Sequence, residues 1–250
     1  MQRYCYARCR FGQTLAGWAV AVLLAAGVVS CGQRRVSWEE LNDAAARALS
    51  AGRTIEAEGH LRAALELARD DSAGAGEGGR IPLSLQRLAR FYEARQRYSQ
   101  AAEFYALALE ADIKRLKVDD PALWETVRRL AAMYESQQQL TEAKEIYKRF
   151  FSLQESGMGH DALPLASTLV QVGRLARMRG AYDEAEKAFQ RALSIRIQHL
   201  GQDNEELPEI LDEYVALMRD TEQPYKADLM EERAANLRMS ATRRRMTEAR

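Results

Sequence analysis

A 42-residue repeat constrains this chain more than any other feature of its sequence. Arg87 is followed by Leu88, Ala89 and Tyr92, and the same pattern returns 42 positions later in the segment that begins at Arg129. Small and aromatic residues downstream keep this spacing: the alanines are Ala101, Ala143, Ala185 and Ala227, and the aromatic residues are Tyr105, Tyr147 and Phe189. A fixed period of about 20–50 residues is the signature of a solenoid or another stacked-repeat fold.

The repeating residues resemble those of the tetratricopeptide repeat, in which Leu-Gly or Leu-Ala is followed by Tyr and later by Ala, an aromatic residue and Ala. The three central copies are Leu85, Leu88, Ala89, Tyr92, Ala101, Tyr105 and Ala108; Val127, Leu130, Ala131, Tyr134, Ala143, Tyr147 and Phe150; and Leu169, Val172, Gly173, Ala176, Ala185, Phe189 and Ala192. The long period is similar to that of kinesin light chain. The resemblance implies an all-α fold, a right-handed superhelical solenoid of about five antiparallel helix pairs.

The resemblance covers about residues 37–238, with weaker copies at both ends. We predict repeats at about 37–70, 82–117, 121–156, 162–200 and 205–238, a glycine-rich connection after the first, and a basic tail at 239–250. Phe150 occupies a position where a small residue is usual, which puts the helix spacing of the third repeat in question. The tail contains Arg243, Arg244 and Arg245 and is either an exposed end or a contact for anionic lipid or nucleic acid.

The N-terminus predicts a lipoprotein signal peptide at residues 1–30. Arg3, Arg8 and Arg10 precede an uncharged run from Thr14 to Val29, which is short for a spanning helix, so cleavage is favoured over a retained anchor. Val28-Val29-Ser30-Cys31 resembles the bacterial lipobox, which implies diacylation of Cys31 and a short anchored linker at 31–36. Gly32 stands where an aspartate often marks inner-membrane retention, so we predict an outer-membrane location facing the periplasm.

Composition and motif searches argue against several other functions. The 36 basic and 36 acidic residues cancel, so nucleic acid is not a predicted partner. All three cysteines lie at or before Cys31, and the three histidines are scattered, so no metal, cofactor or catalytic triad is predicted. Gly74, Gly76 and Gly79 spell a dinucleotide-binding string, but they follow a predicted helix instead of a strand.

The first helix of each pair lines the concave face in this repeat family, and six arginines fall there in the central repeats. They are Arg87, Arg90, Arg128, Arg129, Arg174 and Arg177. Acidic residues fall on this face in the end repeats: Glu39 and Asp43 in the first, and Glu209, Asp212 and Glu213 in the last. We therefore predict a basic central groove for an acidic peptide or a C-terminal carboxylate. The alternative is that these arginines are solvated and paired with neighbouring carboxylates.

These features together predict a scaffold, not an enzyme. We expect a lipid-anchored protein that binds a protein or peptide partner and supports an envelope protein complex, with no small-molecule substrate. Two alternatives stay open: a structural subunit that assembles through its own repeats, and an accessory subunit of an envelope enzyme or export machine.

Overall fold

The chain folds into paired antiparallel helices. The computed structural model describes residues 36–72 and 79–248, and within these ranges it contains ten α-helices and no strand. The helices are α1 (Trp38–Ser50), α2 (Thr54–Ser72), α3 (Arg80–Glu93), α4 (Tyr98–Arg115), α5 (Pro121–Ser136), α6 (Leu140–Met158), α7 (Pro164–Met178), α8 (Tyr182–Leu200), α9 (Leu207–Asp220) and α10 (Pro224–Glu248). The predicted all-α repeat solenoid is confirmed. The signal peptide and Cys31 lie outside the described residues.

The helices stack in chain order. Extensive contacts join helices that are adjacent in sequence, with a smaller contact between α7 and α9. We call α1, α3, α5, α7 and α9 the first helices and the others the second helices. None of the described helices combines the length and apolar content that crossing a bilayer requires.

Helix starts follow the local sequence where it carries capping residues. The Ser37 side chain accepts a hydrogen bond from the Glu40 backbone N–H, and the Glu40 carboxylate accepts one from the Ser37 backbone N–H. Asp120 accepts from the Ala122 backbone N–H at 2.8 Å, directly before Pro121. Each contact satisfies a donor that the first helical turn leaves unpaired, as the Asp120-Pro121 sequence predicts.

The turn inside each helix pair has the same backbone geometry. Gly52 and Gly180 have φ values of 72° and 73°, in the left-handed region that favours glycine. The corresponding residues of the other three pairs are Gln96, Gln138 and Glu222, with φ values of 57°, 62° and 56°. The repeat therefore retains the turn even where a side chain makes it strained.

A small residue and a large ring meet where the two helices of a pair cross. Gly173 in α7 faces Phe189 in α8, and a Cβ added to Gly173 would lie 2.6 Å from the ring. The corresponding residues in the preceding pair, Ala131 and Tyr147, are buried in one cluster. A small residue on one helix leaves room for the ring on the other. The predicted combination of small and aromatic residues therefore explains how this part of the core packs.

Polar side chains are buried at the junctions between pairs. Thr168 in α7 donates a 2.6 Å hydrogen bond to Gln154 in α6, and both are at most 3% exposed. At the preceding junction Gln86 donates to both Asp112 and Thr126. Thr126 and Thr168 are one repeat apart, as are Asp112 and Gln154, so the polar positions recur with the period while their hydrogen bonds differ. They satisfy groups that would be costly to bury alone.

The third pair packs differently from the others. Phe150 in α6 is buried and stacks on Trp124 in α5 with ring centroids 5.9 Å apart. Alanines occupy this position in the other repeats that share the 42-residue register: Ala108, Ala192 and Ala234. Contact between α5 and α6 is less extensive than between the helices of the other four pairs. The bulky side chain at this crossing thus accompanies a smaller contact between the two helices.

The last helix extends past the predicted end of the solenoid at residue 238. α10 continues to Glu248, and Ala241 is buried. Arg244 donates to the Asp203 carbonyl at 2.8 Å, and Arg245 forms a 2.6 Å ion pair with Glu205. The basic segment 239–248 is thus helical, and two of its arginines contact the α8–α9 loop.

Candidate functional site

The first helices of the central repeats enclose a surface cavity. Arg128, Arg129 and Arg174 line it, so the structure brings together three of the six predicted arginines. The cavity measures about 330 Å³, and its other lining residues are Glu93, Glu125, Ala132, Glu135, Tyr147 and Gln171. We call this the first-helix cavity. Every residue but Tyr147, which comes from α6, belongs to α3, α5 or α7.

The cavity is formally neutral, which corrects the prediction of a basic central groove. Its lining contains three arginines and three glutamates. Arg128 pairs with Glu125 at 2.9 Å, and Arg174 pairs with Glu135 at 2.8 Å. Arg129 contacts Glu125 at 2.7 Å. The guanidinium charges are therefore balanced within the site.

Ion pairs also link each first helix to the next. Arg80 in α3 pairs with Glu39 in α1 at 3.0 Å, and Arg129 in α5 pairs with Glu93 in α3 at 3.3 Å. The remaining two steps are Arg174 to Glu135 at 2.8 Å and Arg177 to Asp220 at 2.7 Å. We call these four pairs the ion-pair ladder. Because each joins adjacent repeats, the ladder stabilises the stack as well as shaping the cavity.

The remaining predicted arginines lie outside the cavity lining. The Arg87 guanidinium is 5.1 Å from the centroid of the Trp38 ring, where the positive charge interacts with the π face. Arg90 is exposed and forms no ion pair with any described residue. Arg177 is held by Asp220 and lies 3.7 Å from Glu213.

The acidic residues predicted for the end repeats are largely paired as well. Glu39 and Glu213 contact Arg80 and Arg177, as above. Asp212 pairs with Arg238, and Glu209 lies 3.4 Å from the buried Arg196. These carboxylates therefore contribute mainly to helix stacking.

Tyr147 presents an unpartnered hydroxyl to the cavity. The residue is 1% exposed, and its hydroxyl forms no hydrogen bond to any described residue. In the preceding repeat the Tyr105 hydroxyl donates to Glu93 at 2.6 Å. Burial, followed by the nearby charge of Glu135, raises the pKa of Tyr147, so the hydroxyl stays protonated. A hydroxyl that reaches a polar cavity and has no protein partner among the described residues is a ready contact for a ligand acceptor.

The Glu125 carboxylate of the cavity remains charged at neutral pH. Burial acts to raise the pKa of Glu125, but hydrogen bonds and charge from Arg128 and Arg129 outweigh it and lower the pKa. The described residues contain no group of three or more side chains suited to a metal ion. The arrangement is suited to hydrogen-bonded and ionic recognition.

Comparison with protein families identifies the repeat. Tetratricopeptide-repeat models match residues 84–118 and 122–198. The chain contains tetratricopeptide repeats in these segments. No curated protein matches the sequence. The predicted resemblance to kinesin-light-chain repeats agrees with the folds of two of the solved structures that follow.

Solved structures share the tetratricopeptide-repeat fold at low sequence identity. BtubC (BKLC) from P. vanneervenii is 23% identical with a TM-score of 0.61, and the match covers 82% of this chain and 80% of that one. A Podosopora anserina protein with nearly identical kinesin-light-chain TPR-like repeats is 18% identical, with a TM-score of 0.59 over 82% and 96% of the two chains. Bacillus thuringiensis PlcR, solved with the peptide PapR7 and DNA, is 10% identical, with a TM-score of 0.51 over 85% and 73%.

Sequence reasoning located the arginines of this tetratricopeptide-repeat face and left open that they pair with neighbouring carboxylates, but it did not identify which carboxylates. Glu93 and Glu135 are 42 residues apart, so the repeat itself marks them as equivalent. Each accepts an arginine from the following first helix. Tyr147 was interpreted only as a packing residue, and no sequence signal distinguishes its hydroxyl from that of Tyr105.

Proposed function

We propose that this protein is a lipid-anchored scaffold that binds a protein or peptide in the first-helix cavity and supports an envelope protein complex. The observation that carries the binding proposal is the unpartnered Tyr147 hydroxyl, held beside Arg128 and Arg174. The crystallised complex of PlcR with a peptide supports a peptide ligand for this repeat fold.

A ligand with an acidic side chain or a C-terminal carboxylate binds in the cavity by displacing the carboxylate of Glu125 from Arg128. Arg128 and Glu125 are one turn apart, and their side chains are 55% and 36% exposed, so their ion pair contributes little to stability. A ligand carboxylate replaces Glu125 on Arg128 and accepts a hydrogen bond from Tyr147. The less exposed Arg174–Glu135 pair joins two helices and stays in place.

Two substitutions test this binding mode. Tyr147→Phe removes the free hydroxyl without breaking an internal hydrogen bond, and Arg128→Glu reverses the exchangeable charge. We expect both variants to keep the fold by circular dichroism and to lose partner capture. Unchanged capture by both would reject the cavity as the binding site.

The partner itself can be identified by photo-crosslinking in intact cells. A benzophenone amino acid replaces Ala132 in the cavity, and Ala63, exposed on α2, is the matched control position. A heterologous protein adduct at Ala132 and not at Ala63 supports the scaffold. Adducts with the chain itself would instead favour the structural-subunit alternative, and co-purified catalytic or export subunits the accessory-subunit alternative.

The lipid anchor rests on the lipobox at Cys31. At about 0.8 kcal/mol for each buried methylene, two or more acyl chains would hold the protein stably on a membrane. We expect an alkyne-bearing palmitate analogue to label the wild type and Cys9→Ser but not Cys31→Ser. Labelling of Cys31→Ser would overturn the anchor. Fractionation of the labelled protein with the outer membrane would support the proposed location facing the periplasm.

A further inference from the structure

A second groove lies on the opposite set of helices, between α4 and α6. It measures about 220 Å³, and its apolar lining consists mainly of Leu109, Ile113, Leu130, Ile146, Phe150 and Leu153. Leu107 and Ile113 are 46% and 41% exposed on the α4 side. Exposed apolar residues beside an apolar depression are one feature of protein-binding surfaces.

The groove adjoins the sequence departure in the third repeat. Phe150, at the crossing where other repeats have alanine, forms part of its wall. The contact between α5 and α6 is also less extensive than in the other helix pairs. The depression therefore coincides with the residue at which the third repeat departs from the repeat pattern.

Charge surrounds the apolar lining. Glu110 and Arg149 line the groove. Glu103 lies seven residues before Glu110 on the same face of α4, and Glu145 lies four residues before Arg149 on α6. These three glutamates form no ion pair with any described residue. Arg149, and Lys114 one turn after Glu110, offset part of this charge, so the surface around the groove has a small acidic excess.

We propose that this groove is a second protein-binding surface, which takes a basic segment that inserts one bulky apolar side chain. Its volume is below the roughly 300–1,000 Å³ usual for small-molecule sites and suits a single anchoring side chain. Lysine or arginine residues beside the anchor contact Glu103, Glu110 and Glu145. The site does not depend on the first-helix cavity, because the two share no lining residue.

A displayed library of random 12-residue peptides, panned against the full-length protein in detergent micelles, tests the ligand chemistry. Counter-selection uses Ala106→Phe, which places a ring at the partly buried wall of the groove. We expect the enriched peptides to carry a bulky apolar residue flanked by lysine or arginine. Enriched peptides without basic residues, or no enrichment, would overturn the proposal.

Affinity measurements on an enriched peptide test the location. We expect Ala106→Phe and the pair Glu103→Lys and Glu110→Lys each to weaken binding about tenfold or more. The matched controls are Ala63→Phe and Glu232→Lys, at exposed positions on α2 and α10. We expect them to leave the affinity for the peptide unchanged.

The remaining outcomes separate this site from its alternatives. Full affinity in both groove variants, with native circular dichroism, contradicts the assignment. Self-association that Ala106→Phe abolishes would assign the surface to a second copy of the chain. Arg128→Glu leaves peptide binding here unchanged, so failure of the first-helix cavity and failure of this groove are distinguishable.

Discussion

Gly173→Ala tests whether the helix crossings limit the side chains that the repeat tolerates. The added Cβ would lie 2.6, 2.9 and 3.0 Å from three carbon atoms of the Phe189 ring. Phe189 is completely buried, between Ala185 and Ala192 on its own helix, which are also completely buried. Close packing of the surrounding core therefore restrains the ring.

Two opposing contributions set the size of the effect. Alanine is favoured over glycine inside a helix by about 1 kcal/mol. Overpacking a filled core costs about 1–3 kcal/mol, and contact at 2.6 Å with a confined ring belongs at the upper end. We therefore expect a net loss of about 2 kcal/mol in the free energy of unfolding, equivalent to a Tm lower by about 4–8 °C.

Gly59→Ala is the matched control, because a Cβ at this exposed position in α2 meets nothing within 4 Å. It should raise the free energy of unfolding by about 0.5–1 kcal/mol. Urea unfolding followed by circular dichroism and by tryptophan fluorescence measures both variants, and coincident curves justify a two-state treatment. If Gly173→Ala and Gly59→Ala stabilised the protein to the same degree, the argument that the helix crossing excludes a side chain at Gly173 would be refuted.

A double-mutant cycle isolates the contact. Phe189→Leu removes the ring that the new methyl group would strike, so Gly173→Ala should cost little in that background. The coupling free energy should be about 2 kcal/mol. Additive effects would show that the clash does not control stability.

Further substitutions probe the other recurring features. Tyr105→Phe should lower the free energy of unfolding by about 1.5 kcal/mol because it breaks a bond to a carboxylate, whereas Tyr147→Phe should change it by less than about 0.5 kcal/mol in the same urea assay. Gly180→Ala should cost about 1–2 kcal/mol at its left-handed φ, and Gln138→Gly should gain about 0.5 kcal/mol by relieving the equivalent strain; opposite signs would contradict the common turn geometry. Gln154→Leu should cost about 1–3 kcal/mol by leaving a buried threonine hydroxyl unpaired, and a neutral result would show that this junction does not need it.

The sequence predicted those parts of the fold that recur with the period. The spacing of Ala131 and Tyr147 identified a crossing because close packing permits few combinations of large and small residues. The ion-pair ladder was not predicted, since its partners lie 36 to 43 residues apart, a spread that depends on how far each long side chain reaches. The large residue at Phe150, where other repeats have alanine, can be recognised in the sequence. Its effect on the packing of α5 against α6 depends on how α6 relaxes around the ring.

The neutral first-helix cavity makes a kinetic prediction that a basic groove would not. With three arginines balanced by three glutamates, the site has little long-range field to attract an acidic partner. Association should therefore proceed at the unsteered rate of about 10⁵–10⁶ M⁻¹s⁻¹ and change little between low and high salt.

Affinity must then come from slow dissociation, once the ligand carboxylate has replaced Glu125 on Arg128 and engaged Tyr147. Stopped-flow measurements with the partner identified by crosslinking, repeated across a salt series, give the association rate constant and its dependence on salt. A rate that falls steeply with salt would mean that unpaired charge elsewhere on the protein guides the encounter. Anchoring at a membrane would compensate for the missing attraction, because a tether raises the effective concentration of a partner on the same surface without any new contact.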